Sequence, residues 1–303
     1  MLLPWDQYIA IVGLSLWSML ELGVVALCLG LWLYRKRPAR LLTKFQIKST
    51  CFNLTVGILD TLFFAIPLSW LVFRFTSQLQ LLTNRWALLD LDREGTLTTI
   101  GIGLLAVFAG DFVAYWRHRL EHFGWFWKSH VMHHSDAGMN WSTIFRFHPV
   151  NRLTTALIDS AALALLGFPS WAVVLNNLVR HYYGAFVHID QPWTLGPLGR
   201  LLVSPAMHRW HHVLEGEGVG RNFASVFSIF DRLFGTHYCP GPCDVPLGVP
   251  GVRANDLLGQ YLLPFRPGQA PGTGGPDSDR GHSSGGGCPP GPGPGQPDGP
   301  RFA

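Results

Sequence analysis

The sequence predicts an all-α protein, an integral-membrane bundle of helices with a cytoplasmic cap of histidine-bearing helices. Three observations predict it. Apolar residues come in blocks long enough to cross a ~30 Å hydrocarbon core as helices. The histidines recur at i, i+3 and i+4, the spacing of one helix face. A basic cluster of Arg35, Lys36, Arg37, Arg40 and Lys44 follows the first apolar block directly. That cluster supplies part of a small formal charge of +4 and reads as a membrane flank, not a nucleic-acid surface. No nucleic-acid partner is expected.

Residues 9–34 form the first apolar run, sufficient for one crossing. No basic stretch precedes it, so it reads as a retained span and not a cleavable signal. The positive-inside tendency places its basic end in the cytoplasm. Residues 54–73 read as a second span returning outward, residues 76–96 as a polar external loop, and residues 97–115 as a third span coming back in. His118 then lies just past that span, at the cytoplasmic surface. Glu21 and Asp60 fall inside the spans. Intramembrane carboxylates invite a functional reading, but a hydrogen-bonded acid facing another helix accounts for both, and neither is placed in the site.

Residues 153–166 and 171–187 are two apolar halves separated by Gly167-Phe168-Pro169-Ser170. Each is short for a full crossing at ~1.5 Å per residue. A helical hairpin turning at Gly167 and Pro169 returns the chain to the side where it began; a straight crossing would strand His208 across the membrane. The organisation expected is therefore residues 1–96 as N-terminal transmembrane helices and loop, 97–245 as the histidine-bearing domain, 246–265 as a short extension and 266–303 as a disordered Gly/Pro-rich tail. The five cysteines show no C-x-x-C pair; free thiols are expected, and no thiolate metal site.

Of thirteen histidines, eleven lie between His118 and His212, five of them within the seventeen residues His118 to His134. His118 and His122 are i and i+4. His130, His133 and His134 are i, i+3 and i+4, and His208, His211 and His212 repeat that triplet. Each cluster aims its imidazoles at one point, and eight such nitrogens exceed the four ligands of a tetrahedral zinc. They suit two metal ions, and all-nitrogen ligation is compatible with iron.

The neighbouring residues carry further expectations. Asp111, Tyr115, His118 and His122 form one helical stripe, so Asp111 either accepts the second N–H of His118 or only marks the helix leaving the membrane. His148 precedes a proline and is pushed out of helical conformation; it could be a ligand, a structural contact or, the reading favoured, a hydrogen-bond donor supporting a ligand. His188, at the end of the hairpin, returns to the clusters as a ninth candidate ligand. His181 shares its face as a weaker one, and His237 reads as a loop histidine. Trp116, Trp125, Phe126, Trp127 and Trp141 fit an interfacial belt or a substrate slot. A competing reading takes His118 to His122 as H-x-x-E-H, a zinc metallohydrolase motif with Glu121 as base. It leaves the other six clustered histidines unexplained.

The stretches D-x-x-x-Y-W-x-H-R-x-x-H at Asp111, HVMHH at His130, FRFHPVN at Phe145, FVHID at Phe186, HRWHH at His208, and N-F-A with FDRLFGT from Asn222 to Thr236 resemble the fatty acid hydroxylase/sterol desaturase superfamily, in its order and spacing over roughly residues 100 to 237. The resemblance implies a membrane non-haem diiron oxygenase. Its two iron ions would be held by His118, His122, His130, His133, His134, His188, His208, His211 and His212, with O2 as co-substrate. It implies hydroxylation or desaturation of a lipid C–H bond. Electrons would come from a separate donor, a reductase with a ferredoxin or a cytochrome b5-like carrier. Some members carry a histidine where this chain has Gly184, so a tenth ligand is not implied here unless His181 substitutes.

Overall fold

The computed structural model describes residues 5–33, 43–83 and 95–268. Ten α-helices run through them: α1 (Trp5–Leu33), α2 (Lys44–Asp60), α3 (Ile66–Thr83), α4 (Thr96–Glu121), α5 (Gly124–His134), α6 (Pro149–Leu165), α7 (Ser170–Val187), α8 (Pro205–His211), α9 (Ile229–Leu233) and α10 (Leu257–Leu262). No β-strand forms among the described residues, only an antiparallel bridge between Val213 and Leu247. Among the described residues two segments are long and apolar enough to cross a membrane, Val12–Trp32 within α1 and Thr96–Glu121.

The expected second span is divided. A π turn, Thr61–Ala65, joins α2 to α3, and α2 buries Ser49, Asn53 and Asp60. Those polar groups are spoken for. Ser49 Oγ and Asn53 Nδ2 donate to the Asp136 carboxylate at 2.5 and 2.8 Å, and Asp60 pairs with Arg152 at 2.9 Å. Asp60 is thus a packed ion-pair partner, as the plainer reading had it, and Glu21 accepts from Tyr182 at 3.3 Å. The loop expected at 76–96 is shorter, because α3 continues to Thr83. The basic cluster at 35–40 and most of the tail lie outside the described residues.

The hairpin forms where expected. His148 caps α6 with Pro149 at its first position, a place where the missing N–H of proline costs nothing. Gly167 ends the helix at φ +85°, a conformation that glycine adopts without strain. Phe168 N–H then closes back on Leu163 O at 3.1 Å. Helix α4 packs against both arms: Ile102 and Ala106 meet Leu163, Phe168 and Ala172 in one core. Its Gly110 lets Asn176 approach so closely that a Cβ there would lie 2.2 Å from Asn176 Oδ1.

The C-terminal face of this bundle carries the cap. A second core of Tyr115, Val187, Val203, Met207, Phe223 and Phe230 joins the ends of α4 and α7 to α8 and α9. The extension at 246–265 closes the other side. Val249 and Leu263 pack on Trp127 and Val131, and Trp125 Nε1 donates to Pro264 O at 3.0 Å. Arg146, wholly buried, ties the layers together through Met132 O, Ser135 Oγ and Ala254 O.

Candidate metal centre

Nine histidines converge in the cap, as two groups. His118, His122, His130, His134 and His211 form one; His133, His188, His208 and His212 form the other, and within each the ligand atoms lie within 4.8 Å of one another. Helix α4 contributes His118, with His122 at its end, and α5 its whole i, i+3, i+4 triplet. Helix α8, capped by Ser204 with Pro205 in its first turn, contributes the second triplet. Because i+3 and i+4 diverge by a fraction of a turn, the triplet on α5 divides: His130 and His134 go to one group, His133 to the other. The triplet on α8 divides as His211 against His208 and His212. Two points of convergence therefore follow from helical geometry.

The proton inventory tests whether the groups fit a cation. His118 Nδ1 faces Phe223 O at 2.8 Å, and His211 Nδ1 faces Arg221 O at 2.6 Å. A carbonyl only accepts, so both rings carry their proton on Nδ1 and present a bare Nε2. Those two Nε2 atoms stand 3.0 Å apart, lone pair to lone pair, which is repulsive unless a cation lies between them. His188 repeats the arrangement in the other group: Nδ1 donates to Gly184 O at 2.6 Å, and Nε2 meets His208 Nε2 at 3.0 Å and His133 Nε2 at 3.2 Å. Nε2 of His122, His134 and His212 is buried without a hydrogen-bond partner. Orphaned buried nitrogens are rare in folded proteins. Burial pushes His130 and His211 down to about 3, and burial with the facing imidazoles holds His133, His134, His208 and His212 well below the usual range. The rings are neutral, the form that binds metal. The donor set fits metal.

Two expected supporting residues act differently. Asp111 does not reach His118. Its carboxylate accepts from the backbone N–H groups of Ser225, Val226 and Phe227 at 2.7–3.2 Å. Asp231, a residue the spacing did not single out, accepts from Phe223 N and Ala224 N at 2.7 and 3.0 Å. Asn222, at φ +60°, clamps the same loop through Met207 O at 2.9 Å and Tyr238 N at 2.7 Å. Together they place the carbonyls that take the protons of His118 and His211, so Asp111 works at one remove. His148 supports no ligand: Nδ1 accepts from Val150 N at 3.1 Å and Nε2 donates to Tyr261 O at 3.0 Å, spending both nitrogens on the helix cap and the extension.

His181 joins neither group. Its Nε2 meets Ser18 Oγ at 3.2 Å on the α1 side, and at Gly184 a Cβ would come within 2.6 Å of Ile144 Cδ1, so a larger residue there would have to push that side chain aside. Trp127 is no surface anchor; it is buried, with His122 and His134 at 4.8 and 5.1 Å between ring centroids. Trp116 and Trp125 remain part-exposed. His237 is a loop residue paired with Arg232 at 2.8 Å. Glu121 is wholly buried, held by Arg117 on one oxygen and by Thr154 at 2.6 Å on the other. A carboxylate so committed cannot serve as the base that H-x-x-E-H hydrolysis needs.

A cavity of about 560 Å³ opens from the histidines, reaching His118, His130, His133, His188 and His208 and running between α3, α6 and α7 as far as Ser170. Both histidine groups thus lie at one end of a channel between helices. Residues 103–236 match the fatty acid hydroxylase family, and the chain is similar to proteins named as lipid hydroxylases and monooxygenases.

Ornithine lipid hydroxylase of Rhizobium tropici is 30% identical over 165 residues, 54% of this chain and 50% of that protein. Human alkylglycerol monooxygenase is 38% identical over 129 residues, 42% of this chain and 28% of the other. Methylsterol monooxygenase 2-2 of Arabidopsis thaliana is 32% identical over 129 residues, 42% and 48% of the two chains. The chain thus spans half or less of the length of these relatives. No solved structure matches it.

Proposed function

We propose that this chain is a membrane-embedded oxidoreductase that uses two iron ions and O2 to hydroxylate or desaturate a C–H bond of a lipid. The convergence of nine neutral imidazoles on two points, with bare nitrogens facing each other, carries the reading. Iron held there supplies oxidising power toward an unactivated C–H bond that no side chain possesses. His118, His122, His130, His134 and His211 would hold one ion and His133, His188, His208 and His212 the other. The carbonyls of Phe223, Arg221 and Gly184 fix the tautomers of three of them. Phe147 stacks on His133 at 4.7 Å, Trp127 walls the other side, and both keep water from the ligands.

The cavity between α6 and α7 admits the substrate from the bilayer, and the cap faces the cytoplasm, where a separate reductase with a ferredoxin or cytochrome b5-like carrier delivers electrons. Iron content and lipid product measured together on His133→Ala and His211→Ala test the proposal. Each variant should insert in membranes, lose the iron of its own group and make no product. Full turnover in either removes the assignment.

A further inference from the structure

An alkyl channel has no use for ions, yet this cavity is lined by Arg117, Arg152, Asp159 and Arg180 in addition to histidines, Arg152 being paired with Asp60. Asp159, on α6 and almost fully buried, lies between the two guanidiniums: Oδ1 takes Arg117 Nε at 2.9 Å and Oδ2 takes Arg180 Nη1 at 2.5 Å. Arg117 is also claimed by Glu121. Arg180, on α7, is the less used partner. Among the described residues its hydrogen bond goes through Nη1, to Asp159, and its Nε is buried with no hydrogen-bond partner. The unused edge, Nε–H beside Nη2–H, is the side-on fork that grips a carboxylate or phosphate with two parallel bonds. A buried donor without an acceptor costs the protein its desolvation. The cost makes sense if a ligand supplies the acceptor.

Position strengthens the case. Arg180 sits eight residues before His188 on the same helix, about 12 Å along the axis. The cavity continues past it, beside Asn177 and Val173, to Ser170 at the hairpin turn. A polar head held at Arg180 would therefore lie within the channel, near the metal groups, with room for hydrocarbon on its far side. Both oxygens of Asp159 already face guanidinium, so it does not repel an incoming anion.

We infer that Arg180 is a specificity-determining residue: its free edge forms an oxyanion subsite, and the substrate is a lipid whose acidic head enters the channel. This rests on the proposed lipid oxygenation for its meaning, but its test does not need turnover. Binding of hexadecanoate, hexadecyl phosphate and hexadecan-1-ol would be titrated on the full-length, metal-loaded chain in detergent. The wild type should bind at least one of the two acids roughly 10–100-fold more tightly than the alcohol, the range of one or two charge-assisted hydrogen bonds; the preferred acid identifies the head. Arg180→Gln should erase that preference while leaving alcohol binding and iron content unchanged. Arg180→Lys keeps the charge beside Asp159 but lacks the fork, and should recover only part of it. Equal affinity for acid and alcohol in the wild type, or equal losses for all three ligands in Arg180→Gln, overturns the inference. The wild-type comparison decides even if a variant fails to fold. A chain that shows the preference yet oxidises no lipid would keep the subsite and lose the proposed function.

Discussion

The two histidine groups use the same side chains and differ in how they are held. In the five-membered group, His118 and His211 hand their Nδ1 protons to carbonyls of one loop, and that loop is bolted down by Asp111, Asp231 and Asn222. In the four-membered group only His188 has such a partner, the carbonyl of Gly184. Nδ1 of His133, His208 and His212 has none, as is also true of His130 in the larger group. Three of those four rings also line the cavity, against two of the other five. Outer hydrogen bonds orient ligands and raise their basicity. On the proposed reading the five-membered group would retain its ion more firmly, and the four-membered group would face the channel that admits substrate and O2.

Removing a ligand from either group should give the largest effect. His211→Ala and His208→Ala should each abolish turnover, but His211→Ala should keep iron in the four-membered group and His208→Ala in the five-membered one, read by iron content and spectroscopy on each variant. Loss of all iron in both would mean that the groups form one indivisible cluster. Next comes chelation of the wild type. Iron should leave in two phases, the fast one absent from a His208→Ala protein; a single phase would erase the asymmetry.

Asp231→Asn should weaken iron binding at the five-membered group about 10–100-fold, the usual cost of losing an outer partner, with the other group unaffected in the same titration. Gly184→Ala should be the mildest of these, because Ile144 Cδ1 is the tip of a flexible side chain; a several-fold loss confined to the four-membered group is expected. Separately, Glu121→Gln should retain its iron, whereas loss of all activity with the metal still bound would revive the hydrolytic reading.

Much of this arrangement is legible in the sequence. The i, i+3, i+4 spacing predicts the convergence, because it is a statement about one helix face. The expectation that each cluster aims at a single point fails, since both triplets divide between the two groups. The hairpin turn at Gly167 and Pro169 announces itself through residues that cannot continue a helix. What the spacing could not reveal is which ring goes to which group, since that depends on how α5 and α8 are rotated against each other. Nor could it separate Asp111 from a direct partner of His118. A carboxylate seven residues before a histidine is on its stripe, but nothing in the chain says that a loop more than a hundred residues later will come between them. Asp231 was invisible for the same reason: its partners are backbone N–H groups, which every residue has. Trp127 looked like an interface anchor because aromatic composition does not distinguish a membrane rim from a metal-site wall. The division of the second span at its π turn likewise reflects tertiary demand, with Ser49, Asn53 and Asp60 turned inward to Asp136 and Arg152.

The most direct test counts metal. The purified full-length chain, reconstituted anaerobically with ferrous iron and freed of excess, should hold two irons per chain, and Mössbauer spectra should resolve two nitrogen-rich sites in equal amounts. A stoichiometry of one or none, or iron that yields its place to zinc without loss of lipid oxidation, contradicts the account.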